Sequence, residues 1–210
     1  MTGLGRLLRA AVAGAATLLL AGCFNEVKPD GAAADTGNSA LAQRSWDARR
    51  TALQQVQNFS LQGRLAQTGL VSFGGDLSWI QAGATFQARF YGPLGVGAVA
   101  IIGSPGNMQI QNKSGTYQTQ QPEVLMQQQF GWSLPVDGLR YWVLGLPAPG
   151  DMAQLKLDDT GHILSMQQDG WELVYSEYQS VAGLDLPKKF ALKDPQRGFR
   201  VFIDTWVNVE

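Results

Sequence analysis

Apolar residues recur with a period of two over most of this chain and with a helical period over one stretch only. From Phe59 onward, Phe59, Leu61 and Leu65 alternate with polar or small neighbours. Val71, Phe73, Leu77 and Trp79 then share one strand face, and Ser72, Asp76 and Ser78 share the other. This is the pattern of half-buried strands, whose side chains point alternately to two faces. Phe86, Ala88 and Phe90 continue it, and further strands are predicted at residues 97–102, 108–112 and 115–119. Lys113-Ser114-Gly115 supplies the turn between the last two. In the C-terminal third, strands at 154–157 and 163–168 flank Asp158-Asp159-Thr160-Gly161. Asp169-Gly170, a strong hairpin signal, leads into a strand at 171–178. Segments 189–193 and 199–209 finish the chain.

Helical spacing appears before the strands. Ser39 can cap a helix over residues 40–57, with Leu41, Trp46, Leu53 and Val56 inward and Asp47, Arg49 and Arg50 on the other side. Pro122 can open a short helix reaching about Phe130. Asp137 is placed to cap another over 138–144, ended by Gly145 with Pro147 beyond. About eleven antiparallel strands with one N-terminal helix and a helical insertion predict a strongly curved sheet or open barrel with helices over it.

The first 38 residues follow neither pattern. Arg6 and Arg9 precede an apolar run from Ala10 to Leu20, which is too short to span a bilayer and reads as a secretory signal. The run ends in Leu20-Ala21-Gly22-Cys23, and small residues ending on a cysteine resemble a bacterial lipobox. The resemblance implies cleavage before Cys23, leaving residues 1–22 as a signal peptide, and acylation of the new N-terminal cysteine. Cys23 is the single cysteine, so no disulfide can form within the chain, and lipidation is the simplest use for it. Residues 23–38 then form a lipidated flexible tether, poor in large apolar side chains. Residues 39–210 are enough for one domain.

Charge narrows the partners. Losing Arg6 and Arg9 from 16 basic residues leaves 14 against 17 acidic ones, near −3, which argues against nucleic acid. No stretch of the mature chain is long and apolar enough for a membrane span, so attachment is expected from the lipid, for which two or more acyl chains hold stably.

Catalytic chemistry is hard to assemble. The lone His162 lies beside a hairpin turn, where a surface position is expected, and no second His or other Cys can complete a zinc site or a thiol nucleophile. Asp-Thr-Gly triplets at Asp35 and Asp159 lack the apolar setting of a proton-sharing pair. Gly95-Val96-Gly97-Ala98-Val99-Ala100 fits a dinucleotide fingerprint but leads into a strand. Neither an enzyme nor a cofactor, beyond the lipid on Cys23, is expected.

Aromatic content says more. Trp46, Trp79, Trp132, Trp142, Trp171 and Trp206 are many for one modest domain. They suit a large-side-chain core, or a cavity lined by apolar sheet and helix faces that takes a lipid-like ligand. Phe73, Phe86 and Phe90 join them as cavity candidates. Gly92-Pro93-Leu94-Gly95 predicts a turn with Leu94 at its tip, either an ordinary exposed leucine or a point of insertion into a bilayer or partner.

Several strings, taken with the lipobox, resemble the LolB family. They are Gln62-Gly63, Arg89-Phe90-Tyr91-Gly92-Pro93-Leu94-Gly95, Ser104-Pro105-Gly106-Asn107-Met108, Leu157-Asp158 and Trp171-Glu172-Leu173-Val174-Tyr175. The most specific is Leu139-Arg140-Tyr141-Trp142-Val143-Leu144-Gly145-Leu146-Pro147. The resemblance implies an incomplete antiparallel barrel of about eleven strands under helices, enclosing an apolar cavity. It implies a lipid-anchored monomer on the periplasmic face of the outer membrane that accepts acylated lipoproteins from a LolA-like periplasmic carrier and inserts them into the inner leaflet. Leu94 matches the family's protruding leucine for membrane insertion. Trp142 matches a lid tryptophan facing the cavity, and Trp79 and Trp171 match barrel tryptophans. Phe24 stands where an Asp would signal inner-membrane retention. Residues 69–75 are richer in Gly than is usual for the family. The alternative is a similar half-barrel with a structural or assembly role in the outer membrane.

Overall fold

The computed structural model describes residues 38–68, 73–92, 98–104, 106–150 and 152–210. The predicted signal peptide, Cys23, the tether as far as residue 37, Val71, Ser72 and Leu94 fall outside the described residues, as does the side chain of Phe73. The elements are α1 (Ala40–Leu53), β1 (Asn58–Thr68), β2 (Phe73–Ala82), β3 (Thr85–Tyr91), β4 (Val99–Ser104), β5 (Asn107–Asn112), β6 (Gly115–Thr119), α2 (Pro122–Phe130) and α3 (Val136–Trp142). They continue with β7 (Gln154–Leu157), β8 (Ile163–Gln168), β9 (Trp171–Val181), β10 (Leu184–Lys193) and β11 (Gly198–Val207).

All eleven strands form one antiparallel sheet in the order β6-β5-β4-β3-β2-β1-β11-β10-β9-β8-β7. Every pairing joins neighbours in the chain except one, where β1 meets β11. The two edges, β6 and β7, therefore sit in mid-chain and do not pair with each other. Residues 120–153, which carry α2 and α3, must run from one edge to the other. They do so over the apolar face, since Met126, Leu134, Val136, Leu139 and Trp142 join the same buried cluster as Leu61, Leu77, Phe90 and Leu173 of the strands. The sequence-predicted half-barrel with a helical lid is the architecture observed.

Local differences from the sequence reading have physical causes. Ser39 caps α1 through a hydrogen bond from the Ala42 amide (3.1 Å), but the helix stops at Leu53 rather than 57. The amides of Gln57 and Asn58 both donate to the Glu210 carbonyl, which draws this segment onto the C-terminal strand end. Ala42, Trp46 and Leu53 face the core, whereas Leu41 is exposed. At α3, Asp137 is not the cap. The helix begins at Val136, where Pro135 already holds a helix-compatible φ of −73°, and Asp137 lies in the first turn. Gly138, predicted to open that helix, gives room: a Cβ there would come 2.6 Å from the Trp142 ring. The β9–β10 hairpin is longer than predicted because Pro187 is accommodated at a bulge.

The β7 edge is blunted by Asn38. Its side-chain amide donates to the Leu155 carbonyl (3.1 Å), and its carbonyl accepts from the Leu157 amide (2.7 Å), as a neighbouring strand would.

Helix α1 rests on the β7–β8 turn. Gly161 has a φ of +81°, and a Cβ there would lie 2.5 Å from the Trp46 backbone nitrogen. Both the left-handed conformation and the close approach call for glycine. Gly161→Ala is expected to cost about 1–3 kcal/mol, read as a lower urea midpoint. An unchanged midpoint would mean that α1 is not seated on this turn.

Candidate functional site

The apolar face of the sheet and the underside of the lid meet in a layer of aromatic rings. Trp79 is fully buried and stacks on Phe86, with centroids 4.8 Å apart. Its indole N–H donates to Gln81 Oε1 (3.1 Å), whose amide in turn bonds the Gly83 and Thr85 carbonyls. Phe90 meets Trp132 of the lid edge-on at 5.5 Å. Trp142 and Trp171 lie 6.4 Å apart, and Trp171 is 6.2 Å from Phe199. Strand alternation delivers Trp79, Phe86 and Phe90 to this face, while the fold of 120–153 brings Trp142 down onto it. The cavity candidates Trp79, Trp142, Trp171, Phe86 and Phe90 are thus brought together, all buried.

The lid is tied to the sheet at three polar points. Trp142 Nε1 and the Ala148 amide both donate to Gln168 Oε1 (3.1 and 2.8 Å), and Gln168 Nε2 donates back to the Ala148 carbonyl (2.7 Å). The buried Tyr175 hydroxyl donates to the Trp142 carbonyl (2.9 Å), and burial holds its pKa well above the ordinary tyrosine value. Arg197 lies over the Trp171 ring, bonds Asp194 and reaches Ser133 Oγ in the loop between α2 and α3. Sequence reading missed Gln168, Tyr175 and Arg197 in these roles; only the three-dimensional fold brings them to the lid.

His162 corrects the expectation of a surface residue. Its side chain is 18% exposed, with Nδ1 3.1 Å from Asp158 and Nε2 3.2 Å from Asp185. The ring packs at 4.5 Å on Tyr178. Arg49 of α1, expected on the solvent side, instead bonds the Asp185 carboxylate (3.2 Å) and its backbone carbonyl (3.1 Å). The cluster pins α1 to the β7–β8 and β9–β10 hairpins.

These contacts set a pH dependence. Burial opposes the charge on Asp158, but the His162 and Thr160 amides and the Thr160 hydroxyl outweigh it and hold its pKa below the usual carboxylate value. Asp185 is likewise lowered, its burial outweighed by Arg49 and His162, and so is Asp194, its burial outweighed by Arg197 and neighbouring amides. Groups lowered in this way stabilise the fold above the unfolded carboxylate value of about 3.9, and that contribution is lost as pH falls through the lower native values. Glu123 and Asp137, on the lid helices, are raised by burial and act with the opposite sign. The urea midpoint is therefore expected to fall below about pH 4, and Asp185→Asn to flatten that fall. A midpoint constant from pH 7 to pH 3 would contradict this.

The family model described as "Outer membrane lipoprotein LolB" matches residues 57–206. The chain belongs to the LolB family. An outer-membrane lipoprotein LolB from Nitrosococcus oceani is 37% identical over 192 residues, covering 90% of this chain and 92% of that protein. One from Pseudomonas aeruginosa is 31% identical over 205 residues, covering 95% and 96%. Among solved structures, a LolA superfamily protein from Nitrosomonas europaea superposes with a TM-score of 0.51 at 9% identity, covering 82% of this chain and 95% of that one. A DUF1329 family protein from Desulfovibrio piger gives 0.51 at 10% identity, covering 82% and 93%. At these identities the structures establish the shared fold alone. LolB proteins are lipoprotein-trafficking receptors of the outer membrane and not enzymes. Among the described residues, no helix is long and apolar enough to cross a membrane.

Proposed function

We propose that this LolB-family protein, attached by lipid on Cys23, takes the acyl chains of lipoproteins from a LolA-like carrier between its sheet and lid. It then passes them into the inner leaflet of the outer membrane through Leu94. The observation that carries the reading is the continuous apolar and aromatic face spread across an open sheet, with the two short helices of the 120–153 segment packed over it. A triacylated cysteine holds on the order of 48 methylenes, so full exposure to water would cost roughly 38 kcal/mol at most. Shielding is thus required at every step of transfer, and an apolar interior provides it without catalytic groups. Direction then follows from affinity: the receiver must hold the chains better than the carrier and worse than the bilayer.

The aromatic rings pack against one another, so acyl chains must part the lid from the sheet. Three polar ties and two short helices make that opening cheaper than breaking the sheet. A second reading, a structural half-barrel with a permanently filled interior, is favoured by this same stacking. Titrating the untethered domain with a triacylated peptide separates the two. The receptor reading expects saturable binding with a change in Trp fluorescence. A folded domain with no binding across chain lengths would leave the structural reading in place.

A further inference from the structure

We propose that the groove between the end of α1 and the segment following α3 binds an anionic phospholipid, with an acyl chain along its floor and the phosphate held by Arg50 and Arg140. This ligand differs from the lipoprotein client, whose acyl linkages carry no negative charge.

The groove has a volume of about 580 Å³, within the size range of single-ligand sites. Val56, Tyr141, Leu146 and Pro147 are among its apolar lining, with Arg50 entering from α1 and Arg140 from α3. No Asp or Glu is among the described lining residues. The described carboxylates near the two cations either pair weakly or lie outside the groove. Asp47 stands 4.0 Å from Arg50 with both side chains about half exposed, a weak pairing. Asp137, which Arg140 influences through charge, does not line the groove. The Arg140 guanidinium carbon also lies 4.9 Å from the Tyr141 ring centroid, a cation–π contact. Two guanidinium groups and several apolar side chains lining one groove, with no acid among its described lining residues, match an amphiphile bearing a negative head, and guanidinium pairs well with phosphate. Members of this family are outer-membrane lipoproteins, so phospholipid is the amphiphile at hand.

The test titrates the untethered domain, by calorimetry, with dioctanoyl-phosphatidylglycerol and dioctanoyl-phosphatidylcholine below their micelle-forming concentrations. The two probes share chains and phosphate and differ in net charge. The anionic lipid is expected to bind at least about ten-fold tighter at low salt, and the difference to shrink as salt screens the guanidiniums. Arg50→Gln with Arg140→Gln should remove the preference while leaving the weaker binding. Ala84→Trp, on an exposed hairpin position lining the groove, should weaken both probes by occupying it. Equal affinities in the parent, or a preference that survives the double substitution, would overturn the proposal. A triacylated peptide serves as the third probe. Peptide binding without phosphatidylglycerol preference would remove the groove site and keep the receptor reading. Preference without peptide binding would do the reverse.

Discussion

Trp142→Ala is expected to lower stability by about 3–5 kcal/mol, or roughly 6–20 °C in Tm for a domain of this size. The ring is 1% exposed, and removing it empties a volume bounded by Trp171 and by its own helix at Gly138. Neighbours cannot collapse into that space freely. Gln168 is held in place by the backbone of Ala148, and the Trp142 carbonyl is held by Tyr175. The lid would keep those ties but lose the contact of the Trp142 ring with Trp171 of the sheet. Trp142→Phe, which keeps an aromatic ring, should fall between the parent and Ala. The family resemblance sets this ring on a cavity wall, where its loss would weaken acyl binding more than folding. The contacts made by the ring shift the larger effect to folding. Chemical denaturation with a parallel acyl-peptide titration at low denaturant measures both. A Trp142→Ala domain as stable as the parent would mean that the ring does not join lid to sheet.

The parts of the fold legible in the sequence were those with local causes. Strict alternation around Leu77 and Trp79 and through Phe86, Ala88 and Phe90 identified strands and their inner face together, because a period of two decides both. Asp169-Gly170 marked its hairpin because both residues adopt positive φ, 51° and 77°. The pairing of β1 with β11 left no such local mark, since it depends on closing nearly the whole domain. The early end of α1 was hidden for a similar reason, as the amides of Gln57 and Asn58 just beyond it are taken by the distant carbonyl of Glu210. Pro187 disguised the first half of β10, because a bulge that accepts proline in a strand is a property of the pairing with β9.

The site divides along the same line. Trp79, Trp142 and Trp171 stood out by residue type, yet composition alone does not distinguish a packed interior from a ligand-lined one, as both bury the same rings. The polar groups that hold the lid were invisible because glutamine, tyrosine and arginine carry no periodic signal, and Gln168 meets Trp142 across 26 positions. Proximity to a turn suggests solvent for His162, whereas Asp158, Asp185 and Tyr178 contact it, and Arg49 of α1 in turn bonds Asp185.

Leu94→Glu is expected to abolish delivery of lipoproteins to membranes while leaving their acceptance from the carrier intact. Leu94 lies outside the described residues, but the strands on either side are paired, with Phe90 opposite Val99, so it belongs to the connection between β3 and β4. Its neighbours in sequence, Pro93 and Gly95, offer little to pack against, and a substitution there should leave the urea midpoint within about 0.5 kcal/mol of the parent. Burying one leucine in a bilayer supplies about 1.5–3 kcal/mol, small beside the acyl anchor proposed on Cys23. Holding the protein to the membrane is therefore not a task that this residue is needed for. A local disturbance of the lipid surface, where the client's chains must enter, suits a single apolar side chain in the β3–β4 connection. A carboxylate in its place would resist that entry, since charge is costly below the headgroups. The assay loads the variant with lipoprotein from the carrier, adds outer-membrane vesicles and follows the client in the soluble and membrane fractions. The expected outcome is client retained in the soluble fraction on a fully loaded, stably folded receptor. Normal transfer by Leu94→Glu would end the insertion role, and failure to load would move Leu94 from delivery to acceptance.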